Sequence, residues 1–311
     1  ILMNDTVVAD LINGEAERQR NGLELIPSEN YVSDERNRFA GNFNNVGLRN
    51  LLHGQIHPAA PTIPGTSYMF YQNMFATVTP ALAFGGIAER VRPLPFALFL
   101  LAWSTLVYDF VAYWVWGING WLADLGFQDF AGGVPVHTVA GTSALALAIV
   151  VGPRKNPHAA PHNMPLMVLG TVFFWFGWIF FNSGSALAAN SRASMAAVNT
   201  HIAACAGALT WCLFDYRIHH RITSLGLCSG AIAGLVCITP GSGFTTPYYS
   251  IIYGILGALG ANLACFLKVK LKYDDTLDVF PIHAISGMIG CILNGFFSST
   301  GVIELGGTTT Q

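Results

Sequence analysis

The chain has 311 residues, of which 52% are hydrophobic and only 10% charged, with 33 glycines and a formal net charge of -2. A water-soluble domain carries roughly a quarter charged residues, so this composition argues against a soluble enzyme and for a polytopic membrane protein. The near-zero charge leaves no electrostatic footprint for nucleic acid. Six cysteines (Cys205, Cys212, Cys228, Cys237, Cys265 and Cys291) lie in apolar stretches without CxxC or Cys/His ligand spacing. They read as packing residues, and no metal or cofactor is expected.

In chain order, the first forty residues stand apart. Glu15, Glu17, Arg18, Arg20, Glu24, Glu29, Asp34, Glu35, Arg36 and Arg38 crowd a stretch with no spanning run and no signal-peptide pattern. From about Ile63 the chain becomes a series of apolar segments, each near the roughly 20 residues that cross a bilayer. Eight are predicted, at about 66–88, 94–118, 133–152, 165–188, 195–214, 222–240, 248–268 and 279–298. Arg90 and Arg92 follow the first, Arg154 and Lys155 the third, Arg217 and Arg221 the fifth, and Lys268, Lys270 and Lys272 the seventh. The alternate connections together hold one basic residue, Arg192. Basic residues concentrate on the cytoplasmic side, so odd spans run inward and even spans outward.

Two histidines sit inside spans, where a titratable group is costly and usually marks a substrate or proton path. His137 lies early in the third span, after Asp129-Phe130, and His283 lies early in the eighth, after Asp278-Val279-Phe280. One such histidine can be a packing residue bonded to a carbonyl. Two at matching places in opposed helices fit inverted repeats with a site at their interface. By residue count, however, His137 falls near the outer end and His283 near the inner end. They can meet only if both helices start inside the protein, and Gly132, Gly133, Pro135 and Pro281 suit such irregular starts. His201, in the fifth span, has no counterpart and reads as structural. Phe75, Trp116, Trp178 and Phe181 form an aromatic group, whereas Trp114, Phe173 and Phe174 read as core or interface anchors. Trp116, at the outer end of its span, offers a face to a cation, and Ser185 offers a hydroxyl.

The segment DFAGGVPVHTVAGTSALALAIVVGPR at 129–154 resembles the signature of the ammonium transporter family (Amt/Mep/Rh). Ordered matches follow at 75–92, 104–117, 176–190, 225–236 and 274–297, so the resemblance covers about residues 40–300 and is of fungal type. It implies an all-α polytopic membrane protein with about eight of the eleven helices of an inverted-repeat fold, the core being 41–311. It further implies transport of ammonium or ammonia, with methylammonium as an additional substrate, and a homotrimer once the remaining helices are supplied. His137 and His283 match the paired pore histidines. Trp116, Ser185 and Phe75 match the outer recruitment site, and Phe75 with Phe181 matches the stacked gate. Asp129 matches an aspartate that organises that site without touching substrate.

Departures accompany the matches. The usual YDP is Tyr108-Asp109-Phe110 here, which is expected to alter a kink, and the flanking His or Cys is Tyr113. The chain carries the family's third to tenth spans. EAERQRNGLELIPSENYVS at 15–33 is similar to the start of serine hydroxymethyltransferase, with Glu29 matching an active-site glutamate. The cofactor lysine of that enzyme has no counterpart, so residues 1–40 are expected to be a foreign segment without catalytic activity. The expected function is transport through a hydrophobic pore in a multi-pass, plasma-membrane protein that is not an enzyme. The alternatives are an ammonium sensor and a transporter fragment that does not conduct.

Overall fold

The computed structural model describes residues 38–41, 54–156 and 161–306. The resemblance at 15–33, with Glu29, lies outside the described residues. Helices and turns account for the described chain, without a strand among them. In lipid each backbone polar group must be satisfied within its own segment, which a helix does and an open sheet does not.

Helix α1 is Gly65–Gly85. The next stretch is divided into α2 (Pro93–Trp103), a π-helical turn (Ser104–Tyr108) and α3 (Asp109–Trp116), with the short α4 (Trp121–Asp124) after it. A second π-helical turn, Gly133–Thr138, leads into α5 (Val139–Val151). Then come α6 (Met164–Gly184), α7 (Ser191–His219), α8 (Ser224–Ile238) and α9 (Pro247–Leu271). A third π-helical turn, Phe280–Ile285, opens α10 (Ser286–Phe297), and the short α11 (Thr300–Glu304) follows. These helices fall on the expected apolar segments. Among the described residues, six helical stretches are long and apolar enough to cross a membrane. Helix α1 has the length but carries Gln72 and Asn73. Helix α8 is apolar but only 15 residues long.

Local chemistry sets the ends. Asn163, Asn190 and Thr223 cap α6, α7 and α8 by accepting the N–H of Leu166, Ala193 and Gly226. Pro93 and Pro247 occupy first helical positions, where a missing N–H costs nothing. The interior is built on close backbone approach. Gly226, Gly230 and Gly234 recur at every fourth residue of α8, and a side chain at Gly234 would meet the Ala203 carbonyl at 2.2 Å. Small residues at this spacing let membrane helices touch where burying apolar surface gives no advantage over lipid. Helices α2 and α6 instead leave Leu94, Leu98, Leu101, Phe173, Phe176 and Phe180 exposed.

The basic connections meet at one end of the bundle. Arg90 donates to the carbonyls of Gly86, Gly152 and Asp274, and Arg154 makes a forked pair with the Asp274 carboxylate, Nη2 at 2.9 Å and Nε at 3.0 Å. The connections after α1 and α5 are thus tied to the one before the Phe280 turn, as the alternation of charge requires. Where the proline of the usual YDP is replaced by Phe110, the helix is interrupted just before by the π-helical turn at Ser104–Tyr108. There the Asp109 N–H reaches back to the Ser104 carbonyl.

Candidate functional site

The site is organised around two helix starts built alike. Pro135 has no N–H to continue an α-helical ladder, and the His137 N–H instead reaches the Gly132 carbonyl five residues back, at 3.1 Å. Gly132, at φ 111, precedes the turn; a side chain there would be strained and would approach Val136 at 2.6 Å and the Trp116 ring at 3.1 Å. The Asp129 carboxylate accepts the N–H groups of Gly132, Gly133 and Val134 at 2.7–2.8 Å. It therefore holds the first orphan donors of the helix, each such charge-assisted bond being worth about 1.5–3 kcal/mol. The second start repeats this. Asp275, fully buried, accepts the Phe280 N–H at 2.8 Å ahead of Pro281 and His283.

Asp275 is the true counterpart of Asp129, which corrects the pairing with Asp278. Asp278 lies at the end of the loop, at φ 54, and forms an ion pair with Lys268. The signal was available as spacing: D-x5-P-x-H-x3-G occurs twice, from Asp129 to Gly141 and from Asp275 to Gly287. The final glycines are reciprocal. A side chain at Gly141 would meet the backbone N of Ala284 at 2.5 Å, and one at Gly287 would meet the His137 Cβ at 3.1 Å. Each helix thus leaves room for the other's histidine turn.

These turns bring His137 and His283 together, both buried, with Nδ1 facing Nδ1 at 3.3 Å. A hydrogen bond between these nitrogens in a neutral pair requires opposite tautomers, one Nδ1 donating and the other accepting. Nε2 of His137 has no hydrogen-bond partner among the described residues. The Trp178 indole stacks on His137 at 5.0 Å between centroids and donates to Thr239 Oγ1 at 2.8 Å. Trp178 stood in the aromatic group without a role; its place against the pair depends on how α6 packs, which sequence alone does not give.

Outward from the histidines runs an unbroken series of rings. Phe181 lies 6.0 Å from His137, Phe75 4.5 Å from Phe181, and Trp116 5.5 Å from Phe75. The Trp116 indole donates to the Asp129 carbonyl at 2.8 Å, so one aspartate anchors both the outer tryptophan and the His137 turn. Ser185 Oγ donates to the Phe181 carbonyl and sits 3.0 Å from the Tyr71 hydroxyl, which itself donates to that carbonyl. Tyr71 was not singled out from sequence. It lies one helical turn before Phe75, with ring centroids 5.0 Å apart. A cavity of about 190 Å³ is lined by His137, Trp178, Phe181, Phe173, Phe174 and Val78, among others. Phe173 and Phe174, expected to be anchors, contribute to its wall. His201 is exposed, beside Cys205 and the Trp175 ring, away from this series.

The fold and site together are those of a helical membrane protein in which a series of aromatic rings ends on two facing, buried histidines. The sequence profile of the Ammonium Transporter Family matches residues 30–311. Ammonium transporter 1 of Schizosaccharomyces pombe is 45% identical over 281 residues, covering 89% of this chain and 56% of that protein. Ammonium transporter MEP2 of Saccharomyces cerevisiae is 43% identical over 271 residues, covering 85% of this chain and 54% of that protein. The crystal structure of Saccharomyces cerevisiae Mep2 superposes with a TM-score of 0.86 at 41% identity, covering 96% of this chain and 68% of that one. The chain belongs to the ammonium transporter family. It spans just over half the length of these two relatives.

Proposed function

We propose that the protein conducts ammonium across the plasma membrane as neutral ammonia, and is a transporter rather than an enzyme. The observation that carries this reading is the His137–His283 contact at the end of the aromatic series. Ammonium is recruited at Trp116, Phe75 and Ser185, where ring faces and a hydroxyl oxygen favour a cation. Carrying the intact ion through an apolar lumen costs a large desolvation energy. Loss of a proton at the outer site, to the outside water or along the two histidines, leaves ammonia, which passes the Phe75–Phe181 gate and takes up a proton again from water or that relay on the inner side. The free Nε2 of His137 then meets a molecule that both donates and accepts hydrogen bonds, so the histidines replace part of its lost hydration. Asp129 acts only through the groups it holds. Methylammonium is a second substrate, and once the family's remaining helices are supplied the working unit in the bilayer is a homotrimer with one path per subunit.

Growth on low ammonium of cells lacking their own ammonium transporters tests this, using the 311-residue chain. Rescue by the parent is expected. His137→Ala and His283→Ala should each lose selective uptake or let potassium compete. Normal, selective uptake by both variants refutes the paired-histidine role.

A further inference from the structure

Arg192 breaks two rules at once. It is buried, only 8% exposed, and it is the second residue of α7, where the helix N-terminus disfavours a cation. No carboxylate pairs with it among the described residues, and its Nη2 has no hydrogen-bond partner there. Its Nε donates to the Gly243 carbonyl at 2.8 Å. The guanidinium carbon lies 5.0 Å from the centre of the Phe130 ring and 4.7 Å from that of Phe244. A buried charge is retained at such a place when ring faces replace its lost hydration.

The arrangement leads directly to the outer site. Gly243, whose carbonyl Arg192 holds, also abuts the Phe130 ring, where a Cβ would come within 2.2 Å of it, and the Phe130 N–H donates to the Pro240 carbonyl at 3.0 Å. Phe130 adjoins Asp129, whose carbonyl holds Trp116 and whose carboxylate caps the His137 turn. We propose that Arg192 is a positioning residue for the outer cation site: resting against Phe130 and Phe244, whose rings pack edge-to-face 5.5 Å apart, it fixes Asp129 and through it Trp116 and the His137 turn. The role rests on the reading of Trp116 as a recruitment residue. Arg192 itself touches neither the aromatic series nor the histidines in any contact described above.

The test compares Arg192→Met, which keeps bulk without charge, with Arg192→Lys, which keeps charge, in the 311-residue chain reconstituted in liposomes. Saturable methylammonium uptake and amide hydrogen exchange are both read. Arg192→Met should raise KM about tenfold with the maximal rate near the parent's. It should also speed exchange at Gly132, Gly133 and Val134 while leaving α8 protected. Arg192→Lys should restore most of both. Parent-like KM and exchange in Arg192→Met overturns the proposal. So does a fall in KM, which would mean that the charge repels the incoming cation. Equal damage by Lys and Met, or loss of α8 protection in both, assigns Arg192 to packing alone. If the parent shows no saturable uptake, the transport reading fails, and the exchange comparison still decides the positioning role.

Discussion

Gly141→Ala is a sharp probe of how the histidines are held, because it adds one methyl group and changes no chemistry. The added carbon would lie 2.5 Å from the backbone N of Ala284 and 2.6 Å from its Cβ. Carbon contacts relax at roughly 3.5–4.0 Å, so the two helix starts must separate by roughly 1 Å. The clash is with backbone, and no rotamer relieves it. The same separation stretches the His137–His283 contact from 3.3 Å beyond hydrogen-bond range. Overpacking of this kind costs about 1–3 kcal/mol, and misplacement by 1 Å at a working site can cost on the order of a hundredfold. Initial-rate uptake of methylammonium by Gly141→Ala should therefore fall at least tenfold at equal membrane abundance. Gly295→Ala is the control, since nothing lies within 4 Å of a carbon added there, and relief of the glycine penalty should leave it at or above parental stability. Parental uptake by Gly141→Ala would refute the claim that close packing of the two turns sets the histidine contact.

Two further outcomes are expected. Asp274→Asn removes the negative charge and one of the two oxygens that accept the Arg154 fork and the Arg154 N–H at 2.7 Å, and should cost about 2–4 kcal/mol, read as a melting point in detergent lowered by about 5–10 °C. Burial alone would raise the Asp274 carboxyl, but its bonds to Arg154 and the nearby Arg90 hold it below the usual carboxylate range. Its stabilisation is thus complete at neutral pH and is lost as pH falls through that lowered value. The melting difference between parent and variant should be constant near neutrality and shrink only in strong acid; a difference that already shrinks near pH 6 contradicts the assignment. Tyr71→Phe removes one hydroxyl beside Ser185. A buried hydrogen bond contributes about 0.5–1.5 kcal/mol net, so KM for methylammonium should rise by about two- to tenfold with the maximal rate little changed. An unchanged KM would separate Tyr71 from the recruitment site.

Much of the site was legible because its signals are local. The cost of an ionisable group in an apolar run singles out His137 and His283 without reference to any neighbour. The family signature assigned Phe75, Phe181, Trp116, Ser185 and Asp129 to one path, and the ring distances join the three aromatics in series to His137. In sequence Asp278 pairs with His283 by adjacency alone, whereas the carboxylate that accepts the Phe280 N–H is that of Asp275, five residues before it. Tyr71 and Trp178 carry no local mark that separates them from other membrane aromatics.

By itself the sequence determined that this chain crosses a membrane and where its helices fall, and it singled out two histidines as candidates, because hydropathy and desolvation act residue by residue. Only the tertiary structure decided that those histidines meet. Residue counting puts them at opposite ends of their spans, and two π-helical turns, each capped by a buried aspartate, begin the helices inside the protein instead. Their meeting rests on a glycine in each helix that admits the other's turn. Such mutual steric fit belongs to pairs of segments 146 residues apart and is written in neither segment alone.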